Sequence, residues 1–60
     1  MQVLKEDIRG RILTVARQQF EQKGYSKTSM REVAELAGVG VGNIYNYFTN
    51  KDELFREVVR

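Results

Sequence analysis

The side chains best suited to recognition chemistry lie between Val39 and Asn50. This stretch contains Asn43, Asn46 and Tyr47 but no carboxylate. An asparagine amide can pair with an adenine edge through one donor and one acceptor, and a tyrosine can donate to a phosphate or pack on a thymine methyl group. Because a carboxylate would repel phosphates, an acid-free face with these side chains indicates contact with nucleic acid.

Catalytic chemistry has little support in the composition. The 60-residue chain contains neither histidine nor cysteine. General acid–base catalysis relies most often on histidine, and zinc sites are built mainly from cysteine and histidine. No motif pairs a nucleophile with an acid or a base. The sequence therefore predicts a non-enzyme with no catalytic residues, no metal site and no cofactor.

The balance of charged and apolar residues is that of a folded domain with a mildly basic surface. Hydrophobic residues make up 42% of the chain and charged residues 30%, and the formal net charge is +2. This charge is compatible with a nucleic-acid partner. No segment has the apolar length of a signal peptide or a membrane span. We therefore expect a cytoplasmic protein with no membrane contact.

Glycines at every second position from Gly38 to Gly42 superficially suggest a nucleotide-binding loop. The G-x-G-x-x-G pattern fails because Asn43 holds its last position, and no predicted strand precedes the run. Nucleotide binding is therefore not predicted.

The first element that must position the polar side chains is a long amphipathic helix, predicted over about residues 5–23. Its apolar residues recur at helical spacing on one face. That face consists of Leu4, Ile8, Ile12, Val15, Ala16 and Phe20. Lys23 and Gly24 form a helix stop, since a cation suits the last turn and glycine readily adopts the left-handed conformation. Gly10 is a weak point inside this helix.

A short second helix is predicted over about residues 29–37. Ser29 and Glu32 form a capping box, in which the serine hydroxyl accepts from the Glu32 amide and the glutamate can reach back. The apolar stripe behind the cap consists of Met30, Val33, Ala34 and Ala37. Gly38 ends the helix and is expected to adopt a positive φ angle.

The candidate recognition residues fall on a third helix, predicted over about residues 41–48. Its inner face is assigned to Val41, Ile44, Tyr45 and Phe48, and its outer face to Gly42, Asn43, Asn46 and Tyr47. Asn50 is then a predicted N-cap. It begins a fourth helix from about residue 51, which is expected to be still helical at Arg60.

The spacing Ala34-x3-Gly38-x5-Ile44 is typical of a helix-turn-helix. A small residue is needed at Ala34 because the two helices cross closely there, and Ile44 fills the angle between them. The predicted fold is all-α: a three-helix, homeodomain-like helix-turn-helix domain plus the start of a fourth helix. A helical interaction module with no DNA role is the alternative, but it would not explain the acid-free outer face.

Two runs of residues carry a resemblance to a known family. They are Ile12-Leu13-x2-Ala16-x3-Phe20 and Gly24-Tyr25-x2-Thr28-Ser29-x3-Val33-Ala34-x3-Gly38-Val39-x2-Gly42-x2-Tyr45-x-Tyr47-Phe48-x2-Lys51-x2-Leu54. Over about residues 9–59 the chain resembles the N-terminal DNA-binding domain of tetracycline-repressor-type (TetR) transcriptional regulators. It departs from the family at Gly40, where serine is usual, and at Val41, where a basic or polar residue is frequent.

The resemblance implies sequence-specific binding of double-stranded DNA, with the third helix in the major groove. It assigns phosphate contacts to the starts of helices 2 and 4, and base or backbone contacts to helix 3. The implied contact residues are Thr28, Ser29, Arg31, Gly42, Asn43, Tyr45, Tyr47 and Lys51. Asn46 joins this set by its place on the outer face. Tyr45 is expected to pack inward first and to contact DNA second.

The resemblance also implies partners beyond this chain. The family continues into a C-terminal domain that dimerises and binds a small-molecule inducer, and this domain is absent from the 60 residues. The full protein is therefore expected to be a homodimeric, ligand-responsive repressor on a palindromic operator, with helix 4 carrying the inducer signal. Because helix 4 is expected to continue at Arg60, the chain is expected to be a fragment.

Overall fold

A computed structural model of the protein describes residues 6–60. Four helices follow one another: α1 (Glu6–Lys23), α2 (Met30–Ala37), α3 (Val41–Ile44) and α4 (Lys51–Val58). Helix α1 packs against both α2 and α4, and α2 packs against α3. The described residues contain no strand, so the all-α prediction is confirmed. The predicted contribution of Leu4 and the predicted start of the first helix at residue 5 lie outside the described residues.

The core is built from apolar residues of all four helices and of the turn that follows α3. Its buried residues are Ile12, Ala16, Phe20, Met30, Val33, Ala34, Ala37, Ile44, Phe48 and Leu54. Residues three and four apart lie on one face of a helix, so each stripe turns a continuous apolar surface toward its neighbours. The predicted stripes of the first two helices are confirmed in the described residues, with Ile8 and Val15 partly buried at the edge of the core.

Both predicted glycine stops are confirmed. Gly24 has φ 87° and donates its N–H to the Phe20 carbonyl at 2.9 Å. Gly38 has φ 74°, and its N–H donates to the Glu35 carbonyl at 3.2 Å, while the Val39 N–H donates to the Ala34 carbonyl at 2.9 Å. This pair of bonds is a Schellman motif, which satisfies carbonyls that the end of α2 would otherwise leave free.

The cap of α2 forms on one side only. The Ser29 hydroxyl accepts from the Glu32 N–H at 3.1 Å, as predicted. The predicted second bond of the capping box, from the Ser29 N–H to the Glu32 carboxylate, is not formed. The Glu32 carboxylate accepts instead from the Lys23 ammonium group at the end of α1. This ion pair connects α1 to the first turn of α2.

The third helix is shorter than the predicted 41–48. Beyond Ile44 the chain makes turns, in which the Asn46 N–H donates to the Asn43 carbonyl at 2.9 Å and the Tyr47 N–H donates to the Ile44 carbonyl at 3.0 Å. These bonds span three residues instead of four, as in a tightened last turn. Asparagine and tyrosine are poor helix formers, which favours this early end of the α-helix.

The predicted inner face of α3 is only half correct. Ile44 and Phe48 are buried, but Val41 is 36% and Tyr45 50% exposed. Because α3 makes its main contacts with α2 alone, residues beside the narrow Ile44–Phe48 stripe remain uncovered. The expectation that Tyr45 packs inward first is therefore wrong.

Helix α4 begins as predicted but ends earlier than expected. The Asn50 side chain accepts from the Glu53 N–H at 2.8 Å, and the Glu53 carboxylate accepts from the Thr49 N–H at 2.7 Å. The helix ends at Val58, so the expectation of a helical Arg60 is wrong. The backbone leaves the helical conformation at Val59, which has φ −92° and ψ 1°. No helix of the described part has the length and apolar character needed to cross a bilayer.

Candidate nucleic-acid interface

Two asparagine amides lie together on the exposed side of the third helix and its following turn. Asn43 and Asn46 are both exposed, and the Asn46 Nδ2 donates to the Asn43 Oδ1 at 3.1 Å. An amide oxygen has two lone pairs, so Asn43 keeps one acceptor and both of its N–H donors. It can therefore still pair bidentately with an adenine edge, while Asn46 helps to hold its amide plane.

The same face contributes two tyrosines and a glycine. Tyr45 is 50% and Tyr47 36% exposed, and neither hydroxyl has a hydrogen-bond partner within residues 7–60. A Cβ placed on Gly42 would meet no atom within 4 Å, so the backbone is open to a close approach at this point. We call the exposed set Gly42, Asn43, Tyr45, Asn46 and Tyr47 the α3 face.

The start of α2 offers two further polar groups. Ser29 is exposed, and because its oxygen accepts from the Glu32 amide, its own O–H remains available as a donor. Arg31 is exposed in the first turn and forms no ion pair with another described residue. The positive end of the α2 macrodipole adds to the attraction for an anion such as a phosphate.

Thr28 was predicted to contact phosphate, and its position does not support that role. Its side chain is only 1% exposed, and its hydroxyl donates to the Gly24 carbonyl at 2.9 Å. This bond gives the buried hydroxyl a hydrogen-bond partner inside the protein, as buried polar groups require. The threonine therefore stabilises the connection between α1 and α2 from within, and its side chain is not on the surface.

Lys51 is also held by the protein itself. Its ammonium group donates to the Tyr25 carbonyl at 2.8 Å and to the Thr28 carbonyl at 2.9 Å, and it lies 4.3 Å from the centroid of the Tyr25 ring. Two of its three donors are thus engaged, which leaves one N–H for a phosphate. The lysine ties the start of α4 to the connection in front of α2.

Three aromatic rings support this connection. The centroids of Phe20 and Tyr25 are 5.8 Å apart in a stacked arrangement, and the Phe55 ring meets both of them edge-on at 5.1 Å and 5.3 Å. The Tyr25 hydroxyl donates to the Asp52 carboxylate. That hydrogen bond, partial burial and the nearby negative charge raise the pKa of Tyr25.

Sequence reasoning did not identify two arginines that hold helices together. The Arg11 Nε donates to the Ala37 carbonyl at 2.8 Å, which places a cation at the negative end of α2. The Arg9 guanidinium contacts Glu57 at 3.0 Å and lies 5.3 Å from the centroid of the Phe48 ring. These partners lie far away along the chain, so no local pattern could reveal them.

Among residues 7–60, no group of acidic side chains could hold a metal ion.

Residues 12–58 match the family described as "Bacterial regulatory proteins, tetR family". The chain is 53% identical over 47 residues to an uncharacterized HTH-type transcriptional regulator, YhgD, of Bacillus subtilis, a match that covers 78% of this chain and 25% of that protein. It is 45% identical over 53 residues to the HTH-type transcriptional regulator AcrR of Shigella flexneri, covering 88% of this chain and 25% of that protein.

A third relative is described as a repressor. The HTH-type transcriptional repressor KstR2 of Mycobacterium tuberculosis is 35% identical over 52 residues, covering 87% of this chain and 26% of that protein. The chain thus spans about a quarter of the length of these relatives. The family match covers most of the 60 residues and includes every helix from the middle of α1 onward. The chain therefore belongs to the tetR family of bacterial regulatory proteins.

Proposed function

We propose that this domain binds double-stranded DNA sequence-specifically, with the α3 face in the major groove. The observation that carries the proposal is the hydrogen-bonded pair Asn43–Asn46, exposed on a surface with no carboxylate between Val39 and Asn50. Buried Ile44 and Phe48 fix the backbone that presents this pair. Amides so positioned can read adenine edges, and the tyrosines beside them can contact bases or the sugar–phosphate backbone.

The start of α2 supplies the phosphate contacts of the proposed complex. Ser29 offers a free O–H, Arg31 a guanidinium group without an ion-pair partner among the described residues, and Lys27 an exposed ammonium group two residues before the cap. Lys51 contributes at most its remaining N–H, and Thr28 none of its side chain. Phosphate contacts of this kind set register and orientation, while base contacts set sequence preference.

In the full-length regulator we propose a homodimer, joined through a C-terminal domain, on a palindromic operator in the cytoplasm. The relatives are about three times as long as this chain, and one of them is described as a repressor. A ligand-responsive repressor fits this arrangement, with the inducer bound outside the 60 residues. A single domain has one half-site and lacks the avidity of two tethered modules, so it should bind weakly on its own.

A salt-dependent titration against a pool of random duplex DNA tests the proposal. We expect binding at low salt, selection of a preferred sequence, and an altered preference for Asn43→Ala. Gln22→Ala, which removes an exposed amide from α1, is the matched control and should leave the selected sequence unchanged. If no duplex is bound at low salt and both variants behave as the parent, the helical interaction module replaces the DNA-binding proposal.

A further inference from the structure

We infer that Val41 reads the C5-methyl group of a thymine in the major groove. The inference rests on the proposed function, because it assigns one feature of the bound DNA to a side chain at the edge of the α3 face. It concerns one of the two positions at which the chain departs from the family resemblance, and it gives that departure a role in specificity.

The isopropyl group of Val41 is partly exposed at the first residue of α3. It is 36% exposed, and a glycine lies on each side of it in the chain. No side chain from either chain neighbour therefore shields Val41 from an approaching duplex.

A valine side chain can recognise only an apolar feature of a base edge. Its side chain neither donates nor accepts hydrogen bonds, and the thymine methyl is the apolar group that the four standard bases present in the major groove. The first residues of a recognition helix are the ones that meet base edges. Val41 and the Asn43 amide, two residues apart at this end of α3, are thus complementary readers of a thymine and an adenine.

The valine side chain is also conformationally restricted. A branched Cβ restricts χ1 in a helix largely to one rotamer, so the two methyl groups occupy nearly fixed positions before DNA arrives. Contact therefore costs little side-chain freedom. A long flexible side chain at the same place would lose more rotamer freedom, and a polar one would be left with unpaired groups against a methyl.

The test removes single methyl groups from the DNA and compares the parent domain with variants at Val41. Once a preferred duplex has been selected, each thymine is replaced in turn by uracil, which lacks only the C5-methyl group. At one position we expect affinity to fall about fourfold, the ratio that corresponds to ~0.8 kcal/mol for one buried methyl group. Val41→Ala should bind the unmodified duplex more weakly than the parent protein does. Its affinity should also depend much less on the thymine methyl group. Circular dichroism checks that the variant is folded.

Each outcome decides between named alternatives. Equal sensitivity of the parent and Val41→Ala would assign the methyl contact to another group, such as the Tyr47 ring, and would overturn the inference. A selected sequence in which no thymine replacement changes affinity would overturn it too, while the proposed DNA-binding function stands. Absence of any selected sequence would overturn both. Val41→Thr, which keeps the shape and one methyl group, should retain part of the dependence if the inference is correct.

Discussion

The Lys51 ammonium group donates to the Thr28 carbonyl at 2.9 Å and so joins the first residue of α4 to the residue before the N-cap of α2. The same group donates to the Tyr25 carbonyl. A lysine that resemblance assigned to phosphate thus holds in place the segment from which Ser29 and Arg31 project. We therefore expect its contribution to DNA binding to be largely indirect, through the position of the α2 start.

Replacing this lysine should affect folding more than electrostatic attraction. Lys51→Met removes two charge-assisted hydrogen bonds in a partly buried setting, so we expect a loss of about 1–2 kcal/mol in the free energy of unfolding. In a domain of this size, thermal denaturation followed by circular dichroism should show a midpoint lower by about 4–15 °C.

Lys27→Met is the matched control for Lys51. Lys27 is exposed and makes no hydrogen bond with another described side chain, so its replacement should leave the midpoint nearly unchanged. If Lys27 meets a phosphate, its removal should lower the salt slope of DNA binding by about 0.9. A normal midpoint for Lys51→Met together with a reduced salt slope would return Lys51 to the role of a direct phosphate contact.

Two glycines should respond in opposite directions to alanine. Gly10 lies exposed inside α1, and a Cβ there meets no atom within 4 Å, so Gly10→Ala should stabilise the domain by up to about 1 kcal/mol. Gly38 has φ 74° at the end of α2, so Gly38→Ala should destabilise it by about 1–2 kcal/mol. Urea unfolding of both variants measures the difference. A destabilised Gly10→Ala would show that α1 needs the flexibility of glycine at this position.

Features that depend on neighbours along the chain could be predicted from sequence. The Ser29 and Asn50 caps and the stops at Gly24 and Gly38 involve bonds within five residues, and all four are present. The partner of Lys51 could not be predicted in this way. It contacts a carbonyl 26 residues away at Tyr25, and this contact exists only once α1 and α4 have packed.

The errors on the third helix have a related physical origin. A regular helix was extended through Phe48, whereas the backbone tightens after Ile44. Helical angles also placed Tyr45 inward, but only α2 is close enough to cover α3 substantially. The same uncovered edge leaves Val41 and Tyr45 available to a partner. The sequence motif thus indicated which segment forms the candidate site, while packing determined which of its side chains are accessible.

Ser29 combines a cap and a proposed phosphate contact, and one substitution can separate the two roles. Ser29→Asp keeps an oxygen that accepts from the Glu32 N–H, because aspartate is as good an N-cap as serine. It removes the free O–H and adds a negative charge. We expect nearly unchanged stability in thermal denaturation and DNA binding weakened about tenfold or more at low salt.

The corresponding substitution at the second cap is the control. Asn50→Asp keeps an acceptor for the Glu53 N–H at the start of α4. No DNA contact is proposed for the Asn50 side chain itself, and the substitution introduces the same charge change. It should weaken DNA binding less than Ser29→Asp does. Equal losses in affinity would mean that the added negative charge acts through the overall charge of the domain, and the Ser29 contact would have to be abandoned.

Two glutamates of α4 should make the domain sensitive to acid. The Thr49 N–H bond holds the pKa of Glu53 below its ordinary value near 4.5, and the Arg9 guanidinium does the same for the pKa of Glu57. A carboxyl whose pKa is lower in the folded state stabilises the fold above its unfolded pKa. That stability is lost as the pH falls through the folded value.

Unfolding should therefore become easier as the pH drops below about 4.5, and Glu53→Gln and Glu57→Gln should each flatten the pH profile. Glu35→Gln is the control, because this glutamate is exposed on α2 and its side chain bonds to no other described residue. Urea titrations between pH 3 and pH 7 measure the profiles. If Glu53→Gln and Glu57→Gln leave the acid limb as steep as Glu35→Gln does, the bonds to Thr49 and Arg9 do not persist in solution.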